Sequence, residues 1–116
     1  MSKSFLDIIG DNNFGVLALI DPDLKNDDIL DKLISSINSV NFSAILVGGS
    51  SISDDKYQKR LKLIKAKINK PVILFPGSSN QISQSADAIL FMSLLSGRNP
   101  KYLIDEQLKG VKLINK

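Results

Sequence analysis

Side chains that could bind a metal or a phosphate follow short apolar runs of this 116-residue sequence, at the points where the runs end. Asp21 ends the first run, and Gly48, Gly49 and Ser50 end the second. The chain has no histidine and no cysteine, so any metal must be held by oxygen. The Asp21 carboxylate and the Ser50 hydroxyl are ligands that Mg²⁺ accepts alongside water and phosphate. Gly48 and Gly49 would let the backbone approach a bulky anionic ligand. Together these residues predict a magnesium-assisted phosphate site.

Further polar residues follow the third and fourth apolar runs. Gly77 and Ser78 come after the third run and are candidate contacts to a phosphorylated ligand. Arg98, beyond the fourth run, could neutralise a phosphate or a carboxylate, because a guanidinium group matches the geometry of such anions. Each motif also has a purely structural interpretation. The "DPD" segment is typical of a turn, "GGSS" lacks the lysine and spacing of a phosphate-binding loop, and Arg98 could be a surface residue near a helix cap.

Composition narrows the function classes. Without histidine and cysteine, this chain cannot form a serine triad, a zinc-type site or a cysteine nucleophile. Hydrophobic residues are 43% and charged residues 23% of the sequence, and no apolar run approaches a bilayer-spanning length, so we expect a cytoplasmic protein. The basic run between Lys56 and Lys70 predicts a solvated helix face, with contact to an anionic membrane surface as the alternative. The few aromatic residues do not favour nucleic-acid binding.

The elements that must position these residues alternate along the chain. The four apolar runs predict strands covered on both faces: residues 15–20, 43–47, 71–75 and 86–92. Apolar residues at spacings of three and four predict helices over 27–40 and 54–69, with Asn26 and Ser53 as their N-caps. The connection after the third strand has room for only a couple of helical turns, and a last helix begins at residue 100.

This order of elements predicts an α/β fold of parallel strands joined by right-handed crossovers. Four such units fit either a small open sheet or the first half of a (β/α)₈ barrel. In both architectures the carboxyl ends of the strands lie on one face, where function gathers.

One acidic segment is a misleading match. Residues 27–31, "DDILD", fit the DDxxD metal motif of helical prenyl-diphosphate synthases. Those sites lie between facing long helices, whereas here the segment starts a single amphipathic helix, where acids favour the helix dipole. We therefore assign these acids to the helix start. Asp23 is a candidate for the surroundings of the metal rather than for a ligand.

Four segments in the same order resemble one enzyme family over nearly the whole chain: "ALIDPD", "AILVGGSS", "PVILFPGSSNQIS" and "ADAILFMSLLSGRNPKYLIDEQLKG". The family is that of the geranylgeranylglyceryl phosphate synthases, with their heptaprenylglyceryl phosphate synthase relatives. The resemblance implies a TIM barrel of the (β/α)₈ type, of which residues 1–116 form a single domain, the N-terminal half.

The resemblance also implies an activity. Family members are prenyltransferases that join the prenyl group of a prenyl diphosphate (geranylgeranyl or similar) to the 3-hydroxyl of sn-glycerol 1-phosphate in ether-lipid biosynthesis. Mg²⁺ binds the diphosphate, and its protein ligands correspond to Asp21 and Ser50. The alternative is a non-catalytic α/β module that binds a phosphorylated ligand at the strand ends.

Two departures from the family qualify this expectation. Where the family usually reads "LLNSRNP", this chain reads "LLSGRNP", with Ser96 and Gly97. The chain also ends after the fourth βα unit, and most of the family's glycerol-phosphate site lies in the second half. We expect this fragment to be incomplete as an enzyme. Its open edges and uncovered inner face predict self-association or pairing with the missing half.

Overall fold

The computed structural model of the chain describes residues 7, 15–49, 52–90 and 111. Four strands in this part of the chain form one parallel sheet. They are β1 (Leu17–Ile20), β2 (Ala44–Val47), β3 (Val72–Leu74) and β4 (Ala88–Ile89). Each strand lies inside one of the predicted apolar runs, since aliphatic and β-branched residues suit strands covered on both faces.

The strands follow one another in the sheet in the order β1-β2-β3-β4. Ile20 lies opposite Val47, and Val47 lies opposite Leu74, so the carboxyl ends of the first three strands are level. A doubly wound open sheet reverses its strand order at a switch point, whereas a (β/α)₈ barrel does not. The unbroken order confirms the prediction of barrel-type βα units and distinguishes it from the open-sheet alternative.

Helical segments connect the strands in the described part of the chain. A 3₁₀ turn at Leu24–Ile29 leads into α1 (Leu30–Asn38), and α2 (Tyr57–Lys67) joins β2 to β3. The third connection holds only a 3₁₀ turn, Ser79–Gln81, in line with its shortness in sequence. Of the last predicted helix, the structure describes only Val111, which is helical and 43% exposed. Among the helices that are described, none has the length and apolar character needed to cross a membrane.

Both predicted helix caps are wrong. Asp23, not Asn26, caps the 3₁₀ turn and accepts a hydrogen bond from its first backbone N–H at 2.8 Å. Asn26 instead donates its side-chain N–H to the backbone oxygen of Asp21 at 2.9 Å. α2 begins at Tyr57, with Lys56 at the N-cap position and without a side-chain cap. The predicted cap, Ser53, lies further upstream and is bonded to Asp23. For Ser53, a contact between two loops thus replaces the predicted contact within one helix, whereas Asn26 bonds within its own loop.

The main core lies between the sheet and the helices. It includes Ile20, Ile45, Val47, Val72 and Leu74 from the strands, and Leu30, Ile34, Leu61 and Ile64 from the helices. A smaller cluster of Ala44, Ile73 and Ala88 occupies the other face of the sheet. Leu19 lies on that second face and is 59% exposed. The expected self-association through this face stays a prediction.

A buried arginine joins α2 to the segment after β1. The Arg60 guanidinium lies 2.5 and 2.8 Å from the two carboxylate oxygens of Asp27, and 2.6 and 2.7 Å from those of Asp54. Hydrogen bonding to Arg60 lowers the pKa of Asp27, and it lowers the pKa of Asp54 to about 2. Arg60 therefore departs from the solvated helix face predicted for the basic run, because its charge is matched by two acids from other segments.

Replacement of a core residue in α2 should cost far more stability than replacement of a neighbour. Leu61 is fully buried, and we expect Leu61→Ala to lower the free energy of unfolding by about 2–5 kcal/mol. Leu63 on the same helix is 37% exposed, and Leu63→Ala should cost clearly less. Urea titration followed by circular dichroism measures both. Equal losses would contradict the assigned core face of α2.

Acid should destabilise the fold through the Arg60 cluster. Asp54 has its pKa lowered from 3.8 to about 2 in the folded chain, so the unfolded state binds protons first as the pH falls. The stabilisation is complete above about pH 5 and is lost progressively between about pH 4 and pH 2. Thermal unfolding across this range should show a shallower pH dependence for Asp54→Asn than for the native chain. Asp55→Asn, at an exposed neighbouring position, is the control, and an identical profile for both variants would contradict this role.

Candidate active site

Asp21 lies directly after β1, and its two carboxylate oxygens have different surroundings. Oδ2 lies 2.9 Å from the ammonium group of Lys25, and this ion pair raises the pKa of Lys25. Oδ1 is buried and accepts no hydrogen bond from any residue that the structure describes. A buried carboxylate oxygen without a donor is costly. Its surroundings therefore suit a cation that could approach it.

The two glycines after β2 lie in close contact with other parts of the chain. A Cβ atom at Gly49 would lie 2.8 Å from Oδ1 of Asp21, so glycine leaves room for that carboxylate. At Gly48 φ is +157°, and a Cβ atom would lie 1.9 Å from the backbone oxygen of Phe75 on the neighbouring strand end. These contacts place the β2 end directly beside Asp21. The approach of a ligand to the two glycines stays a prediction.

Gln81 holds the ends of β2 and β3 together. Its side chain is fully buried. Its Oε1 accepts hydrogen bonds from the backbone N–H groups of Gly49 at 3.2 Å and Gly77 at 3.4 Å. Its Nε2 donates to the backbone oxygen of Gly49 at 3.0 Å. The structure therefore brings together Gly49 and Gly77, two of the predicted site residues, through a side chain that the sequence did not single out.

Asp23 joins the loop after β1 to the loop after β2. Its side chain is almost completely buried. Oδ1 accepts the backbone N–H of Ser53 at 2.9 Å, and the Ser53 hydroxyl lies 2.6 and 2.8 Å from the two carboxylate oxygens. Hydrogen bonding to Ser53 is the main cause that lowers the pKa of Asp23. Asp23 is thus an ionised residue with its own partners, and it does not share a ligand position with Asp21.

The remaining predicted site residues are distributed differently. Ser78 is half-buried and donates its hydroxyl hydrogen to the side-chain oxygen of Asn80. Ser50 and Arg98 lie outside the described residues, so their predicted roles stay predictions. The structure brings three of the four predicted strand ends to one edge of the sheet, and the fourth continues into residues that are not described.

The oxygen atoms at this site suit an ion that keeps several of its waters, such as Mg²⁺, better than an ion held entirely by protein side chains. In the described part of the chain, no three acidic, histidine or cysteine side chains form a group that could hold an ion. Mg²⁺ keeps several waters and is commonly held by one or two carboxylates together with substrate phosphates. Asp21, with one buried oxygen unpaired, fits this mode of binding.

The acidic and basic segments outside the site have structural partners. Asp31 lies 2.7 Å from Lys67, and Asp27 pairs with Arg60, in line with the prediction that "DDILD" is not a metal motif. Lys65 pairs with Asp87. Nearer the start of α2, an open groove beside Arg60 is lined by Lys56, Lys59, Lys62, Leu30 and Leu63.

Comparison with known proteins identifies the family. The model of the PcrB family matches residues 7–116. A geranylgeranylglyceryl phosphate synthase of Flavobacterium johnsoniae is 44% identical over 98 residues, which are 84% of this chain and 40% of that protein. The corresponding synthase of Ignicoccus hospitalis is 39% identical over 101 residues, 85% of this chain and 41% of that protein. The chain spans about 40% of the length of these curated relatives.

Solved structures agree with this match. The crystal structure of (S)-3-O-geranylgeranylglyceryl phosphate synthase from Thermoplasma acidophilum, in complex with its substrate sn-glycerol-1-phosphate, superposes with a TM-score of 0.75 at 36% identity. The alignment covers 89% of this chain and 42% of that one. The resemblance seen in the four sequence segments is confirmed, and the chain belongs to the PcrB family.

Proposed function

We propose that this chain forms the metal-holding part of a prenyltransferase that joins a prenyl group to the 3-hydroxyl of sn-glycerol 1-phosphate. The observation that carries the proposal is the buried, unpaired Oδ1 of Asp21 at the carboxyl end of β1, beside the Gly49 backbone. Family membership supports the reaction class, because the matched relatives are geranylgeranylglyceryl phosphate synthases. The geranylgeranyl group is accordingly the first donor to test.

Asp21 would hold Mg²⁺ on the protein side, and the resemblance assigns a second oxygen to Ser50. When bound, the ion would neutralise the diphosphate and make it a better leaving group. Lys25 balances the charge of Asp21 through Oδ2 and is 64% exposed at its side chain. Its exposed side chain could in addition contact an anionic ligand at this edge of the sheet.

The proposed step needs no covalent enzyme intermediate. The bond between the allylic carbon and the diphosphate oxygen breaks, and the electron pair leaves with the diphosphate. The 3-hydroxyl oxygen of glycerol 1-phosphate forms the new ether bond to that carbon, and its proton passes to the released diphosphate or to water. The protein's contribution in this part of the chain is to bind and orient the diphosphate at a site that stabilises its developing charge.

Removal of the Asp21 charge should abolish metal-dependent transfer. In the full-length protein, Asp21→Asn is expected to lower transfer of a labelled geranylgeranyl group to sn-glycerol 1-phosphate by more than about 100-fold. Loss of a residue that only hydrogen-bonds to a metal ligand already lowers activity by about 10–100-fold, and loss of a ligand should cost more. Asp28→Asn, at an exposed position of the 3₁₀ turn, is the control and should leave transfer unchanged. Diphosphate binding without any transfer by the native protein would favour the non-catalytic module instead.

Alanine at Gly49 should affect mainly metal binding, whereas alanine at Gly48 should affect mainly stability. Gly49→Ala places a methyl group against the Asp21 carboxylate, so we expect weaker Mg²⁺ binding. The change in unfolding free energy should stay below about 1 kcal/mol. Gly48→Ala meets the backbone of the neighbouring strand and should cost about 1–3 kcal/mol or more. Urea unfolding and Mg²⁺ titration of both variants measure the difference. The same pattern in both variants would contradict the placement of Gly49 against Asp21.

A further inference from the structure

Two buried polar side chains fix the flanks of the loop that follows β2. This β2 loop comprises residues 49–53, of which the structure describes Gly49, Ile52 and Ser53. Gln81 bonds to Gly49 at one flank, and Asp23 bonds to Ser53 at the other. We propose that Gln81 and Asp23 are positioning residues that hold Gly49 and Ser53 in an arrangement that leaves the Asp21 carboxylate open to a cation. The inference rests on the proposed function, because it concerns the same metal site.

The contribution of Gln81 follows from its position between two backbones. A fully buried amide is tolerated because its oxygen and nitrogen both find partners on Gly49, and the oxygen also reaches Gly77. An apolar side chain of similar length would leave the N–H and C=O of Gly49 unpaired and so favour a shifted backbone. Gly49 lies so close to Oδ1 of Asp21 that even a methyl group does not fit between them. A small shift of Gly49 therefore changes the space at the carboxylate.

The contribution of Asp23 follows from charge-assisted hydrogen bonds. Its carboxylate accepts both the N–H and the hydroxyl of Ser53, and bonds of this type are stronger than neutral ones. Asp23 is separated from Asp21 by Pro22 alone, a buried residue with a restricted φ. The short, stiff connection couples the position of Ser53 to that of Asp21. The positions of Gly49 and of Ser53 are thus both linked to the position of the Asp21 carboxylate.

A purely structural role would give a different result from a positioning role. Loss of a structural clamp lowers the folded population and reduces activity by the same factor at every metal concentration. Loss of positioning raises the metal concentration needed, while turnover at saturating metal recovers. Comparison of the change in the apparent Mg²⁺ dissociation constant with the change in kcat at saturating Mg²⁺ therefore distinguishes the two roles.

The test uses full-length protein carrying Gln81→Met, Ser53→Ala or Asp21→Asn, with Gln58→Met as the matched control. Gln58 is an exposed glutamine of α2 whose side chain donates to the backbone oxygen of Ile82 and does not bond to Gly49. Binding of Mn²⁺ alone is measured from the electron paramagnetic resonance signal of the free ion, independently of turnover. The Mg²⁺ dependence of transfer is measured in parallel.

We expect Gln81→Met and Ser53→Ala each to raise the Mn²⁺ dissociation constant about 10-fold, with kcat at saturating Mg²⁺ within about threefold of the native value. Gln58→Met should match the native protein. Ser53→Ala removes only a hydroxyl, so it provides the measurement even if Gln81→Met does not fold. Native Mn²⁺ affinity in Ser53→Ala and in folded Gln81→Met, with binding lost in Asp21→Asn, would overturn the inference and leave the metal site standing. Unchanged Mn²⁺ binding in Asp21→Asn would overturn both.

Discussion

The candidate site depends on the parallel register between β1 and β2. Ile20 lies opposite Val47, so Asp21, directly after β1, and the glycines directly after β2 lie at the same level of the sheet. A slip by one residue would turn every side chain of the strand to the other face. The register is therefore set by the apolar residues of the strands, and the proximity of Asp21 to Gly49 is its consequence.

The loops at this edge are held by buried polar side chains rather than by backbone pairing. Asp23, Arg60 and Gln81 are all buried, and each bonds to a segment that belongs to a different βα unit. Loops have no ladder of their own, so side-chain hydrogen bonds must satisfy and position their backbone groups. The apolar core and this polar layer have separate tasks: the core aligns the strands, and the polar layer aligns the loops.

Much of the fold was predictable because the spacing of apolar residues along the chain reflects which side chains are buried. The four strands lie within the predicted runs, and α2 lies within the predicted helix over 54–69. The helix caps were not predictable, because Ser53 can bond either to its own helix or to another loop. The sequence contains nothing that tells the two apart. Arg60 was hidden for a similar reason, since one arginine in a basic run has no feature that marks it as the buried one.

The sequence by itself determined the residue types at the strand ends and the family, because local patterns and the order of segments are properties of the chain. Asp21, Gly49 and Gly77 were singled out in that way. Only the tertiary structure decided which oxygen of Asp21 is unpaired and that Gln81 joins two strand ends. The physical reason is that the contact between Gln81 and Gly49 joins residues 32 positions apart in the chain. Its geometry follows from how successive βα units pack.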